Sequence, residues 1–349
     1  MTTPLEAKLA DRIRAHGPLT VADYMAACLY DPAHGYYMTR DPFGAKGDFT
    51  TAPEISQTFG EILGAWVADA WLKMGGPTPF YLAELGPGRG TLMADVLRIL
   101  GKVLPPCRTA ARPTLVEVSP FLKAVQQTTL KDHAAQWHTE LPPRFDAPVI
   151  LLANEVLDAL PVRQFEQVDG TYYERLVGLV DGRLGWVRAT TPTPLPPTAP
   201  FVETHDAQHT LLTQVRAAIS KGYALFLDYG GVGQADTLQA VRAHGFVDVF
   251  DGPGTADLTT HVNFAEVCAT LGEKSHGPTD MALFLTELGL PLRAATLWKA
   301  APQPERDAIE AATHRLLSPN AMGRHFQVVA WTSDNVPPPA GFDHANARH

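Results

Sequence analysis

Apolar residues recur every three or four positions near the start of the chain, at Leu5, Leu9 and Ile13. They do so again between residues 53 and 73, where Ile55, Phe59, Ile62, Trp66, Ala70 and Trp71 fall on one face. That spacing predicts amphipathic helices. Thr51-Ala-Pro-Glu54 has the form of a capping box in front of the second, and Gly75-Gly76 marks its end. Residues 1–76 therefore predict a helical region. The glycine-rich stretch Phe43-Gly-Ala-Lys-Gly-Asp-Phe-Thr-Thr51 interrupts it and is too long for a simple connector, so it is expected to act as a lid loop.

The period then changes. Short apolar runs at 80–85, 114–118 and 149–153 predict strands, and they alternate with helical patterns at 91–103 (Leu92, Val96, Leu100, Val103) and 121–130. Strand–helix alternation predicts an α/β, Rossmann-like, doubly wound parallel sheet. Within 165–189 the pairs Asp169-Gly170 and Asp181-Gly182 supply the positive φ angles of tight hairpins, which predicts a three-stranded antiparallel β insertion. A proline-rich stretch at 192–200 predicts a stiff linker. The α/β pattern resumes at 222–228, residues 257–290 predict mostly helix, and 326–331 predicts a late strand. The expected organisation is an N-terminal helical region (1–76), the first half of the core (77–164), the β insertion with linker (165–220), the second half with a helical cap (221–336), and a disordered tail (337–349).

Composition narrows the function. A chain of 349 residues with 45% apolar content can bury a large core, and a formal charge of -9 lacks the basic footprint of a nucleic-acid binder. Cys28, Cys107 and Cys268 are isolated, so neither a disulfide framework nor a thiolate metal site is expected. His205 and His209 lie four apart without a third ligand in view and are read as surface residues; no metal is expected. No apolar run approaches a membrane span. The acidic residues Glu6 and Asp11 argue against a signal or transit peptide, which points to the cytoplasm.

Three segments carry chemistry. Glu84-Leu-Gly86-Pro-Gly88-Arg-Gly90 follows a predicted strand and precedes a helix. Glycines there let the backbone turn sharply and approach a ligand. Gly-x-Gly-x-Gly departs from the dinucleotide spacing and resembles motif I of Rossmann-like methyltransferases, which makes Glu84, Gly86, Gly88 and Gly90 candidates for binding S-adenosylmethionine. An ordinary strand-to-helix turn is the alternative. Glu117, at the end of the next strand, can accept hydrogen bonds from both ribose hydroxyls, while Trp137 or His138 would flank the adenine unless the tryptophan is plain core. Asn154-Glu155-Val-Leu-Asp158 follows the strand at 149–153, at the carboxyl edge where ligands bind. Amide and adenine N-methyltransferases typically carry Asn/Asp-Pro-Pro-Tyr/Phe here. Two carboxylates suit a guanidinium acceptor instead, because they can hold its planar fork of donors. Asn154, Glu155 and Asp158 are the catalytic candidates, with Asp158 open to a simpler role in favouring a helix macrodipole.

The chain as a whole resembles the MidA-like family, bacterial counterparts of a mitochondrial protein arginine methyltransferase that assists respiratory complex I assembly. The resemblance is carried by Pro18-Leu-Thr-Val-Ala-Asp-Tyr-Met25, Gly35-Tyr-Tyr37, Gly47-Asp-Phe-Thr-Thr-Ala-Pro-Glu-Ile-Ser-Gln57, Phe59-Gly-Glu61, the motifs above, Asp228-Tyr-Gly230, Asp257-Leu-Thr-Thr-His261 and Met322-Gly323. It implies a methyltransferase using S-adenosylmethionine, a protein acceptor among the quinone-side subunits of complex I, and symmetric dimethylarginine as product. It also implies that Asp48 lies over the cofactor and can bond its ammonium group, unless it only closes an Asx turn. Asp228, Tyr229, Asp257 and His261 would line the acceptor channel, with turns and helix caps as the bland alternatives. Asn263 stands where the resemblance leads one to expect Asp. Two other functions compete: a non-catalytic assembly factor that retains the cofactor pocket, and a nicotinamide oxidoreductase, which the glycine spacing disfavours.

Overall fold

The computed structural model describes residues 3–42, 51–233 and 235–343, and its contacts divide the chain into two compact units. The larger comprises Thr50–Val156, Leu212–Gly231 and Phe264–His349; the smaller comprises Met1–Phe49, Leu157–Leu211 and Val232–Asn263.

The larger unit contributes seven strands to an eight-stranded sheet: β1 (Phe80–Leu85), β2 (Ala111–Val116), β3 (Gln136–His138), β4 (Val149–Asn154), β5 (Gly222–Gly231), β6 (Ser275–Asp280) and β7 (Phe326–Thr332). Their spatial order is β6-β7-β5-β4-β1-β2-β3. β5, β4, β1, β2 and β3 run parallel, as alternation with helices dictates, whereas β7 is antiparallel to both β5 and β6. Strand order reverses between β1 and β4, and this switch point sets where a ligand crevice can open. Leu82, Ile150, Leu152, Leu225 and Val328 from the sheet join Phe59, Trp66, Leu92, Val96 and Phe284 from the helices in one core.

Several expectations need correction. The helix expected across 53–73 is two, Ala52–Ile55 and Gln57–Lys73, because Ser56 is extended (φ -156, ψ 127) and its hydroxyl caps the second by accepting from the Thr58 N–H. Thr51 makes no side-chain cap. Gly64 lets the second helix lie close against Thr91–Val103, where a Cβ would fall 2.1 Å from Ile99 Cγ2. Residues 257–290 are not mostly helical: strands Asp257–Thr259, Val262–Asn263 and β6 interrupt helices Phe264–Leu271 and Met281–Glu287. β6 reads Ser-His-Gly-Pro-Thr-Asp, with no apolar alternation, and is held by backbone pairing to β7. The tail from Pro337 is ordered as far as it is described, since Tyr223 donates to the Pro337 carbonyl (2.8 Å) and Phe342 is buried against Phe284.

In the smaller unit both Asp-Gly turns form as expected, with φ of 49° at Asp169 and Asp181 and 80° at Gly170 and Gly182. They join strands Arg163–Val168, Thr171–Val180 and Arg183–Thr193. The sheet has five strands rather than three: Leu19–Thr20 pairs with Thr171–Val180, and Phe201–Thr204 pairs with Arg163–Val168. The proline-rich stretch therefore connects two strands of one sheet. Helices Pro4–His16 and Val21–Tyr30 bury Leu5, Leu9, Tyr24 and Leu29 with Val162, Val177 and Leu258.

Candidate active site

At the switch point the chain leaves β1 through three left-handed glycines, Gly86 (φ 54), Gly88 (φ 53) and Gly90 (φ 80), a backbone that L side chains adopt only with strain. Gly86 is also constrained by packing. Its N–H donates to the Val116 carbonyl (3.1 Å), and a Cβ on it would fall 2.8 Å from Val156 Cγ2, so the loop abuts the turn that follows β4. Gly90 caps helix Thr91–Val103 without a side chain, and Glu84 in β1 supplies the missing acceptor to the Met93 N–H. The other carboxylate oxygen of Glu84, Oε2, is buried without a hydrogen-bond partner among the described residues. Burial is the main cause that pushes the Glu84 carboxyl up to about 8; the Met93 N–H opposes it and the Glu117 charge adds to it.

Glu117 is buried at the end of β2. Its Oε1 accepts from the Ser119 N–H (2.7 Å) and its Oε2 from the Gln126 amide (2.9 Å). Desolvation raises its carboxyl despite these donors. Gln126, on helix Pro120–Thr129, also donates to the Gly88 carbonyl (2.8 Å) and accepts from the Trp137 indole (3.0 Å). Periodicity alone could not single out this residue, because one glutamine on an amphipathic helix looks like a solvated position. Trp137 packs at the edge of the core in β3, and His138 is exposed.

The Asn154-Glu155-Val156 turn is braced from β5. Asp228, almost fully buried, accepts from the Val156 N–H (3.1 Å) and the Tyr229 N–H (2.9 Å), while the Glu155 N–H donates to the Leu227 carbonyl (2.9 Å). Glu155 has φ 53, a conformation that costs a non-glycine residue roughly 1–3 kcal/mol and that clusters at functional sites. Its Oε1 accepts from the Ala52 N–H (3.2 Å) and from the Asn154 amide (3.0 Å). Desolvation raises the Glu155 carboxyl, and Ala52, Asn154 and the charge of Arg315 partly offset this. Helix Ala52–Ile55 is also tied to the glycine loop. Glu54, expected to close a capping box, instead accepts from the Thr91 hydroxyl (2.5 Å) and pairs with Arg89 (3.4 Å).

The remaining candidates divide between the units. Glu84, Gly86, Gly88, Gly90, Glu117, Asn154, Glu155, Asp228 and Tyr229 belong to the larger, and the ring of Tyr229 meets Phe326 at 5.7 Å. Asp158, Asp257 and His261 belong to the smaller. There Tyr37 donates to both oxygens of Asp257 (2.9 Å each), and burial, with Asp257 and then Asp158 adding negative charge, raises the Tyr37 hydroxyl well above its ordinary range. The Asp158 carbonyl accepts from the Thr260 N–H (3.0 Å), and His261 is exposed. Asp48 lies outside the described residues. His205 is buried, not a surface residue, because it sits where strand Phe201–Thr204 turns into helix Asp206–Ala218; His209 is exposed.

A bare left-handed loop beside two buried carboxylates, one with an orphaned oxygen, fits a nucleoside whose ribose hydroxyls and ammonium group are hydrogen-bond donors. Fold and loop together define a Rossmann-like S-adenosylmethionine-dependent methyltransferase. Residues 62–279 match the family described as "Putative S-adenosyl-L-methionine-dependent methyltransferase". The chain is 36% identical to the Drosophila melanogaster protein arginine methyltransferase NDUFAF7 homolog, mitochondrial, covering 93% of this chain and 84% of that one. Its identity to human protein arginine methyltransferase NDUFAF7, mitochondrial, is 35%, covering 94% and 83%. The crystal structure of a COG1565 superfamily member from Burkholderia thailandensis bound to S-adenosyl-homocysteine superposes with a TM-score of 0.84 at 28% identity, covering 97% of this chain and 93% of that one. The chain belongs to this family of S-adenosylmethionine-dependent methyltransferases, which bears out the resemblance read from its motifs. Among the described residues no helix is long and apolar enough to cross a membrane, and no cluster of His, Cys, Asp and Glu could hold a metal.

Proposed function

We propose that the chain is a protein arginine N-methyltransferase that forms symmetric dimethylarginine on a quinone-side subunit of respiratory complex I, acting in the cytoplasm. The observation that carries this reading is Glu155: a buried carboxylate in a strained backbone, with Oε1 clamped by two N–H donors. The similarity to proteins named protein arginine methyltransferase supports the arginine acceptor.

Bound S-adenosylmethionine supplies an activated methyl group on a sulfonium. Gly86, Gly88, Gly90, Glu84 and Glu117 hold it. Glu155 Oε2 accepts from the guanidinium of the entering arginine, and poor solvation around the pair strengthens that charge-assisted bond. The arriving cation favours the ionised carboxylate and so reverses the upward pull of burial. As methylation proceeds the guanidinium nitrogen sheds a proton, and Oε2 accepts it.

Incubation with labelled cofactor and the quinone-side subunit, followed by mass spectrometry, tests the proposal. The expected product is symmetric dimethylarginine, with E155Q lowering kcat roughly 100- to 1000-fold while S-adenosylhomocysteine still binds. Intact binding without label on arginine would remove the acceptor assignment. Undiminished complex I assembly by E155Q would favour the non-catalytic assembly factor.

A further inference from the structure

Gln126 is fully buried, and both its N–H donors and its carbonyl oxygen are hydrogen-bonded. Its Nε2 donates to the Gly88 carbonyl and to Glu117 Oε2, and its Oε1 accepts from Trp137 Nε1. Each partner can play only one role: a carbonyl and a carboxylate accept, and an indole donates. The orientation of the amide is therefore forced.

The same helix acts on Glu117 twice. Ser119 at its start donates to Oε1 and caps it by accepting from the Leu122 N–H, while Gln126 two turns later donates to Oε2. A carboxylate has about four acceptor sites, and the Ser119 N–H, the Val118 N–H and the Gln126 amide together leave about one for a ligand. We infer that Gln126 is a positioning residue for the cofactor. Through one side chain it fixes the Glu117 carboxylate, the Gly88 carbonyl and the Trp137 indole, the three groups that the cofactor must meet in register. This rests on the reading of the glycine loop and Glu117 as the cofactor site. A glutamine is required because no other neutral side chain of that reach offers two donors and an acceptor at one end.

Titration calorimetry with S-adenosylhomocysteine on the full chain tests this, comparing wild type, Q126L, Q126E and E117Q between pH 6 and 8.5. Q126L removes all three bonds at similar volume. It is expected to weaken binding about tenfold or more and to raise KM for S-adenosylmethionine with far less change in kcat. Q126E places a second carboxyl against Glu117. At high pH the two repel and binding is weak; as pH falls the introduced carboxyl gains a proton, can donate to Glu117 while accepting from Trp137, and binding recovers. A merely structural role would lower thermal stability without that pH-dependent recovery. Should E117Q lose affinity while Q126L and Q126E bind like wild type at every pH, the positioning role is wrong. Should E117Q also bind like wild type, the cofactor-site reading itself fails.

Discussion

Replacing Glu155 by alanine and by glycine isolates the strain at the turn after β4. Both substitutions delete the carboxylate and its bonds to Ala52 and Asn154, so those losses cancel in the comparison. What remains is the backbone at φ 53. In that region an L-residue with a Cβ carries about 1–2 kcal/mol of steric cost, which glycine escapes. Against this, glycine loses about 0.5–1 kcal/mol more conformational entropy on folding. The net expectation is that E155G is more stable than E155A by roughly 0.5–1 kcal/mol, the reverse of an ordinary position. With an unfolding entropy of about 2.1 cal/mol/K per residue, this is roughly 1 °C in Tm for a chain of 349 residues melting as a whole, and more if the larger unit melts separately. Differential scanning calorimetry resolves that difference, and urea titration provides a second measure of its sign. Both variants should bind S-adenosylhomocysteine and neither should transfer methyl. If E155A is the more stable of the two, the left-handed turn and the inference from strain to function are refuted.

Three further outcomes follow from the same geometry. Glu84 stands at about 8 in the fold against 4.5 in the unfolded chain, so its contribution is fully present below 4.5 and is lost as pH rises through 8. Tm measured against pH should show the neutral isostere E84Q gaining on wild type across that window, and a constant difference would contradict it. G86A combines an unfavourable φ with a Cβ 2.8 Å from Val156 Cγ2, which predicts a loss of about 1–3 kcal/mol in chemical denaturation; V156A added to it should recover part of the loss, and strict additivity would refute the clash. Y37F leaves buried Asp257 without its hydroxyl donor and should cost about 1–3 kcal/mol by urea titration; an unchanged midpoint would show that bond to be unimportant.

Where local pattern and long-range packing agreed, the fold was legible in the chain. The boundaries of β1 and of helix Thr91–Val103 coincide with their periodicities, and both Asp-Gly pairs turn where the dipeptides demand it. β6 was hidden because backbone pairing to β7, rather than its Ser-His-Gly-Pro-Thr-Asp composition, makes it a strand. The break at Ser56 was hidden because the apolar period runs straight through it. Side-chain roles were harder to read than elements. Glu54 satisfies a capping-box pattern but turns to Thr91 and Arg89, and Gln126 has no signature because its three partners lie 11, 9 and 38 positions away. The glycine spacing, the strand-end Glu117 and the Asn154-Glu155 pair were visible because strand ends at a switch point are where such chemistry must stand.

A crystal structure of this chain soaked with S-adenosylhomocysteine tests the central claim most directly. Density for the nucleoside is expected against Gly86, Gly88 and Gly90, with its ribose hydroxyls on Glu117. Density elsewhere, with that loop and Glu117 untouched, would contradict the account at its root.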